Sequence, residues 1–328
     1  MNHILKKLIA ALLTLLATTF VVFLVMELLP YDAISQRVYA FGPNRQAILD
    51  ALRADLGLDL PLYQRYLNWL GDLLTGNLGI SIHSKRPVTE IVVVPIARTL
   101  LLNGTSFILA VLLSVPIAIF CATRRSKWAD YFSMILTSTA ASIPAYIIGI
   151  LLIYNFSRHI SWLPISGMRT TLYIVRGYEN ALQEWLDVLR HMIQPVFAMT
   201  IVMLGTFVPY IRGALLEVLG QDYMRTAKAK GLTGTSILFK HAFKNATLPL
   251  ISLVAMLLPG LIMSNIFIEA VFRWPGVGML LIDSLYNAEV FVVSAIVLFY
   301  TLLTLVGSTL ADIVSHRVDP RLKEEHKL

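Results

Sequence analysis

Runs of about 20 apolar residues recur along the whole chain, each long enough to cross a hydrocarbon core about 30 Å thick as a helix. Six are legible, near Leu8 to Leu29, Thr99 to Ala122, Tyr131 to Phe156, Pro195 to Leu216, Leu248 to Phe272 and Val290 to Ile313. Only 14% of the residues are charged and 57% are hydrophobic, whereas a soluble domain carries about 25% charged residues. That leaves too little polar surface to coat a soluble globule, so the membrane is the solvent. The expected fold class is all-α: a polytopic bundle of six transmembrane helices.

The first run follows Lys6 and Lys7 but is longer than the core of a secretion signal, and it ends in Leu28, Leu29, Pro30 and Tyr31 without a small-x-small cleavage site. It is expected to be retained. Orientation follows from the Lys and Arg residues beside the spans. Alternate connections carry Lys6, Lys7, Arg124, Arg125, Lys127, Arg212, Arg225, Lys228, Lys230, Lys240, Lys244, Arg317, Arg321, Lys323 and Lys327, more than half of the 27 basic residues. Both termini are therefore expected on the cytoplasmic side. The positive charge is spread over the ends of apolar runs rather than gathered on one folded face, which argues against nucleic acid as a partner.

The chain divides into residues 1–98, the first span with a large outward segment, and residues 99–328, a five-helix core. In the outward segment Ile48, Leu52 and Leu56 fall at helical spacing before Gly57, and Pro61 can open a second helix with Tyr63, Tyr66, Leu67, Leu70 and Leu74. Such amphipathic helices lie on the membrane face or pack on the spans. A further outward helix is expected around Leu182, Trp185, Leu186 and Leu189. Pro116, Pro144, Pro209 and Pro259 interrupt four of the spans, and each should bend its helix by removing a hydrogen bond.

The longest inward connection covers about 212–248 and has the pattern of two short helices around a glycine turn. Leu216, Leu219, Tyr223 and Ala227 form an apolar stripe, with Arg225, Lys228 and Lys230 on other faces. Gly231 and Gly234 permit a reversal. Beyond it Leu238, Phe239, Ala242 and Phe243 share a side and lead to Pro249 at the start of the fifth span. The result is a compact helical knuckle projecting into cytoplasm.

No catalytic constellation accompanies this architecture. There is no Gly-x-x-x-x-Gly-Lys-Ser/Thr loop to cradle phosphate, so any nucleotide energy is supplied from outside the chain. His191 and His241 stand apart from other metal-binding side chains and suit interface or loop positions better than a metal site. The one cysteine, Cys121, lies in an apolar run, where it serves as a small packing residue. Glu269 and Asp283 flank the turn Arg273 to Gly278 after the fifth span, and ionisable groups at membrane depth face a cavity or a partner. Glu269, with Met263, Ser264 and Asn265 on the fifth span, is the candidate lining of a translocation path or gate.

The run DYMRTAKAKGL, followed by HAFKNATLPLI, resembles the cytoplasmic signature loop of binding-protein-dependent ABC importer permeases, above all the peptide/nickel subgroup. Five further stretches of that subgroup's pattern occur in order along the chain: LGLDLPLYQRYLNWL, GNLGISIHSKRPV, WLPISG, IEAVFRWPGVGMLLIDSLYN and LADIVSHRVDPRLK. Two departures stand out. The general Glu-Ala-Ala of the loop is replaced by Arg225, Thr226 and Ala227, and the usual Pro-Gly-Asp-Pro after the first span is replaced by Pro30, Tyr31, Asp32 and Ala33.

The resemblance implies a permease half of a bacterial inner-membrane importer for oligopeptides or dipeptides. Its implied partners are a second homologous permease forming a heterodimer, two ATPase subunits and an extracytoplasmic solute-binding protein, besides membrane lipid. It also implies no cofactor on this chain, with ATP and Mg held by the ATPases. Asp222, Tyr223, Arg225, Ala227, Lys228, Lys230, Gly231 and Leu232 would couple the spans to the ATPases. A nickel chelate, metallophore, glutathione or oligosaccharide remains an alternative cargo. A membrane enzyme would need convergent His, Asp, Glu or Ser groups inside the spans, which the sequence lacks; a structural or assembly protein is the other competing class.

Overall fold

The computed structural model describes residues 3–28, 60–123, 127–157, 159–160, 162–231, 233–236, 243, 247, 250–251, 253–254, 257 and 266–318. Helices dominate them: α1 (His3–Leu28), α2 (Leu62–Leu74), α3 (Val88–Thr123), α4 (Lys127–Ser142), α5 (Ala145–Leu152), α6 (Thr171–Arg176), α7 (Ala181–Leu219), α8 (Asp222–Ala229), α9 (Ile266–Phe272), α10 (Val277–Tyr286) and α11 (Val290–Val318). Among the described residues the only extended pairing is an isolated bridge between Ile80 and Pro87.

Among the described residues four helices are long and apolar enough to span a membrane: α1, α3, α7 and α11. A fifth candidate is the pair α4 and α5, counted with its π-helical extension to Ser157. The expected fifth span, Leu248 to Phe272, lies mostly outside the described residues, which include its end as α9. The helical segment expected around Ile48, Leu52 and Leu56 also lies outside them.

Three expectations are corrected. The run Tyr131 to Phe156 is not one bent helix: α4 and α5 meet at 96°. Pro144 sits at the N-cap of α5 with φ −56° and ψ 136°, so its backbone is extended and the helix stops and restarts there. The helix around Leu182 to Leu189 is not separate, because α7 runs unbroken for 39 residues through Pro195 and Pro209. Asn180 starts it by accepting a bond from Gln183 N, while the Gln183 side chain accepts from Glu179 N, a reciprocal cap that fixes the start well before Pro195. His191 is in neither a loop nor an exposed interface but is buried in α7, with Nδ1 2.8 Å from the Asp187 carbonyl oxygen.

The chain divides into two units, residues 1–97 with 280–305 and residues 98–279 with 306–328. In the first unit α2 packs on the C-terminal half of α1. Tyr66 meets Phe20 and Phe23 edge-on at 5.4 and 5.5 Å, and Trp69 lies 5.8 Å from Phe23. Thr19 and Tyr66 share a hydrogen bond of 2.9 Å, and Arg65 pairs with Glu27 at 2.6 Å.

In the second unit α4 lies against α7. Gly205 makes this possible, since a Cβ there would stand 2.5 Å from Ala141 Cβ and 2.6 Å from the Thr137 carbonyl oxygen. Lipid supplies no hydrophobic drive for helices to associate, so small residues that let backbones approach carry much of the contact energy. The same logic places Gly149 under Phe272, where α5 meets α9.

Candidate functional site

The knuckle begins where α7 ends. Gly220 caps α7, its N–H donating to Leu216 and Glu217 oxygens at 3.1 and 3.2 Å, and Gln221 carries the chain over to α8. Asp222 stands in the first turn of α8, where a carboxylate complements the positive end of the helix dipole. It lies 3.6 Å from Arg225, both side chains being almost fully in solvent. The expected stripe through Leu216, Leu219, Tyr223 and Ala227 does not form one face, because the break at Gly220 resets the helical phase. Leu216 and Tyr223 are exposed.

The residue that holds α8 down is Met224, which the stripe passes over. It is wholly buried against a cluster containing Phe107, Phe207, Ile211, Leu215 and Leu250, drawn from α3, α7 and the segment after the knuckle. Everything else described around it, including Arg225, Thr226 and Lys230, faces outward. Lys230 N donates to the Thr226 oxygen at 3.0 Å, and Gly231 then turns the chain at φ +76°, a conformation side chains with a Cβ resist. Ala227 and Lys228 belong to α8. Leu232 lies outside the described residues, as do Leu238, Phe239, Ala242 and His241; Phe243 packs on the Met224 cluster.

Met263, Ser264 and Asn265 also lie outside the described residues. Glu269 is described, and it is 1% exposed. Its carboxylate accepts from Thr99 Oγ1 at 2.6 Å, from Gly278 N at 2.7 Å and from Met279 N at 3.2 Å. Thr99 Oγ1 in turn accepts from Val277 N at 2.8 Å. Two side chains, from α9 and α3, thus satisfy three of the four N–H groups that the start of α10 leaves unpaired. Gly276 must be glycine for this, since a Cβ there would fall 2.4 Å from both Glu269 Oε1 and Thr99 Oγ1. Trp274, fully buried, ties the turn to α3 by donating its indole N–H to the Arg98 oxygen at 3.0 Å. Asp283, the other acid of this stretch, is exposed.

Two buried acids carry no sequence signal that singled them out. Glu289 accepts from Ser81 Oγ at 2.7 Å, Ile82 N at 2.9 Å and His83 N at 2.6 Å, pinning the turn of 81–84. Asp187 accepts from Thr170 N, Thr170 Oγ1 and Tyr178 OH at 2.7 to 2.8 Å. Burial and the bond to Asp187 push the Tyr178 phenol up to about 12. A cavity of about 330 Å³ lies beside this group, bordered by Tyr173, Glu179, Leu182 and Arg190.

Long apolar helices, buried acids each committed to holding a turn, and an exposed knuckle at the end of a span describe a multi-pass membrane subunit. The chain belongs to the family of binding-protein-dependent transport system inner membrane components, whose model matches residues 114–324, and the family's N-terminal model matches residues 1–102. It is 32% identical over 323 residues to the oligopeptide transport system permease protein AppB of Bacillus subtilis, covering 98% of this chain and 99% of that one. It is 34% identical over 324 residues to the glutathione transport system permease protein GsiC of Salmonella typhimurium, with the same coverage. Among solved structures, the MetNI methionine ABC transporter matches with a TM-score of 0.54 at 17% identity, over 70% of this chain and 97% of that one, a likeness of fold. The chain is therefore the permease component of an ABC importer, a multi-pass subunit of the inner membrane and not an enzyme. Membership of this family implies partner ATPase subunits and a substrate-binding protein.

Proposed function

We propose that the chain forms one half of the translocation pathway for oligopeptides or dipeptides, paired with a second, homologous permease and driven by two ATPases that hold ATP and Mg. In this reading six spans cross the membrane and both termini are cytoplasmic, which sets the α7–α8 knuckle on the ATPase side. The observation that carries it is Met224. A helix exposed on its remaining described sides but fixed by one buried side chain to the cores of α3 and α7 passes a push on its outer face directly to those helices. Asp222, Tyr223, Arg225, Ala227, Lys228, Lys230, Gly231 and Leu232 are assigned to docking on the ATPase, and Met263, Ser264 and Asn265 to the path. Glu269 sets the α10 turn at the outer end of the fifth span, where a gate would move.

The peptide cargo rests on the relatives named for oligopeptide and glutathione transport. Gly231→Val distorts the reversal and Ala227→Glu adds a charge to the edge. Reconstituted with its partners, each variant is expected to insert normally while ATP hydrolysis proceeds without uptake. Wild-type uptake in both would refute the coupling role. The cargo is identified by the small molecule that co-purifies with the associated binding protein, and a non-peptide there would refute that assignment.

A further inference from the structure

On α2, Leu62, Tyr66, Trp69 and Leu73 form one apolar stripe at helical spacing, and Tyr63, Leu67, Leu70 and Leu74 form a second beside it. At 100° per residue the two merge into a single arc about 160° wide, with Gln64, Asn68, Gly71 and Asp72 on the opposite side. The first stripe is accounted for, since Tyr66 and Trp69 stack on Phe20 and Phe23 of α1. The second is bare except at Leu70, which is half-buried: Tyr63 is 63% exposed, Leu67 59% and Leu74 81%.

The depth of this bare stripe can be read from α1. The apolar run of α1 extends from Leu8 to Leu29, and Glu27, the one charged residue in it, lies two residues from its end. Arg65 pairs with Glu27 near that end. The neighbouring Tyr66 hydroxyl reaches Thr19, eight residues further in, about 12 Å toward the bilayer centre at 1.5 Å per residue. A helix whose consecutive side chains touch both the end and the middle of a span cannot lie wholly outside the hydrocarbon. Its charged neighbour Arg65 is neutralised by Glu27 where the chain leaves water.

The geometry points to α2 as an in-plane anchor: its Tyr63–Leu67–Leu74 stripe is seated among the acyl chains of the leaflet entered by the C-terminal half of α1. Its polar arc faces water. The occupant is lipid because α2 packs by Tyr66 on Phe20 of α1, where Phe20, Val21 and Val25 present an exposed apolar surface on a helix long and apolar enough to span the membrane. This inference is independent of the cargo and of the coupling role.

The test uses the full-length chain in liposomes, with Cys121→Ala removing the one native cysteine. Single cysteines at Tyr63, Leu67 and Leu74, and at Gln64, Asn68 and Asp72, carry a nitroxide label. Collisions with oxygen, which concentrates in hydrocarbon, are compared with collisions with a water-soluble nickel chelate. The expected result is an inversion of the oxygen-to-chelate ratio between the two sets. A water-like ratio on the stripe overturns the proposal, and so does protection from both reagents, which would mean protein covers it. The unsubstituted chain gives an independent arm: a photoactivatable acyl chain should label peptides containing Leu62–Leu74, and absence of label there overturns the proposal.

Discussion

Glu269 offers a test in which holding a turn and lining a path give different results. Its carboxylate takes two backbone N–H groups of α10 on one oxygen and the Thr99 hydroxyl on the other. In Glu269→Gln the amide oxygen can keep both N–H groups while the NH2 turns to Thr99. What is lost is the charge on two bonds and a place for the Thr99 proton, about 2 kcal/mol. In Glu269→Ala two buried N–H groups lose their acceptor altogether and a void opens, about 3–6 kcal/mol. Followed by intrinsic fluorescence on the purified chain in detergent, the melting point should fall by several degrees for the glutamine variant and by about 10 °C for the alanine variant. An alanine variant melting within about 1 °C of the wild type would refute the reasoning and return Glu269 to a purely transport role.

Gly205→Val drives a branched side chain into Ala141 and the Thr137 carbonyl, and should destabilise the chain by about 3 kcal/mol or more, seen as lost yield and lowered melting point. Ala288 adopts φ +50°, where a Cβ costs about 1–2 kcal/mol, so Ala288→Gly should raise the melting point slightly and Ala288→Val lower it. Tyr178, held near 12 in the folded chain against 10 ordinarily, stabilises the fold fully below pH 10 and loses that contribution as pH rises toward 12. Ultraviolet titration of wild type against Tyr178→Phe should show one tyrosine ionising late, and a difference spectrum rising near pH 10 would contradict the bond to Asp187.

Local signals carried what depends on neighbours in the chain. Gly231 was legible because a reversal between two helical patterns needs a residue free of Cβ strain, and the structure has it at φ +76°. The four described long spans were legible because hydropathy over 20 residues is a local sum. Met224 was not, because counting apolar residues at spacings of three and four assumes an unbroken helix, and Gly220 breaks it. Pro144 signalled a disturbance but not its size, since a proline that merely bends and one that restarts a helix differ in the backbone angle ψ, which composition does not encode. Glu289 was invisible because its donors lie at 81–83, more than 200 residues earlier. Nothing in the intervening chain foretells that meeting.

Because Glu269 and Thr99 together fix which residue is the first of α10, the turn between Phe272 and Val277 has no slack. An insertion of one residue there would carry Gly276 out from under the carboxylate and bring a side chain into its place, while the N–H groups it serves would slide past it. The stretch from Thr171 to Asn180, whose side chains stand mostly in the open, has room to lengthen. Relatives of this chain should therefore vary in length across that stretch and keep residues 269–278 at one fixed count.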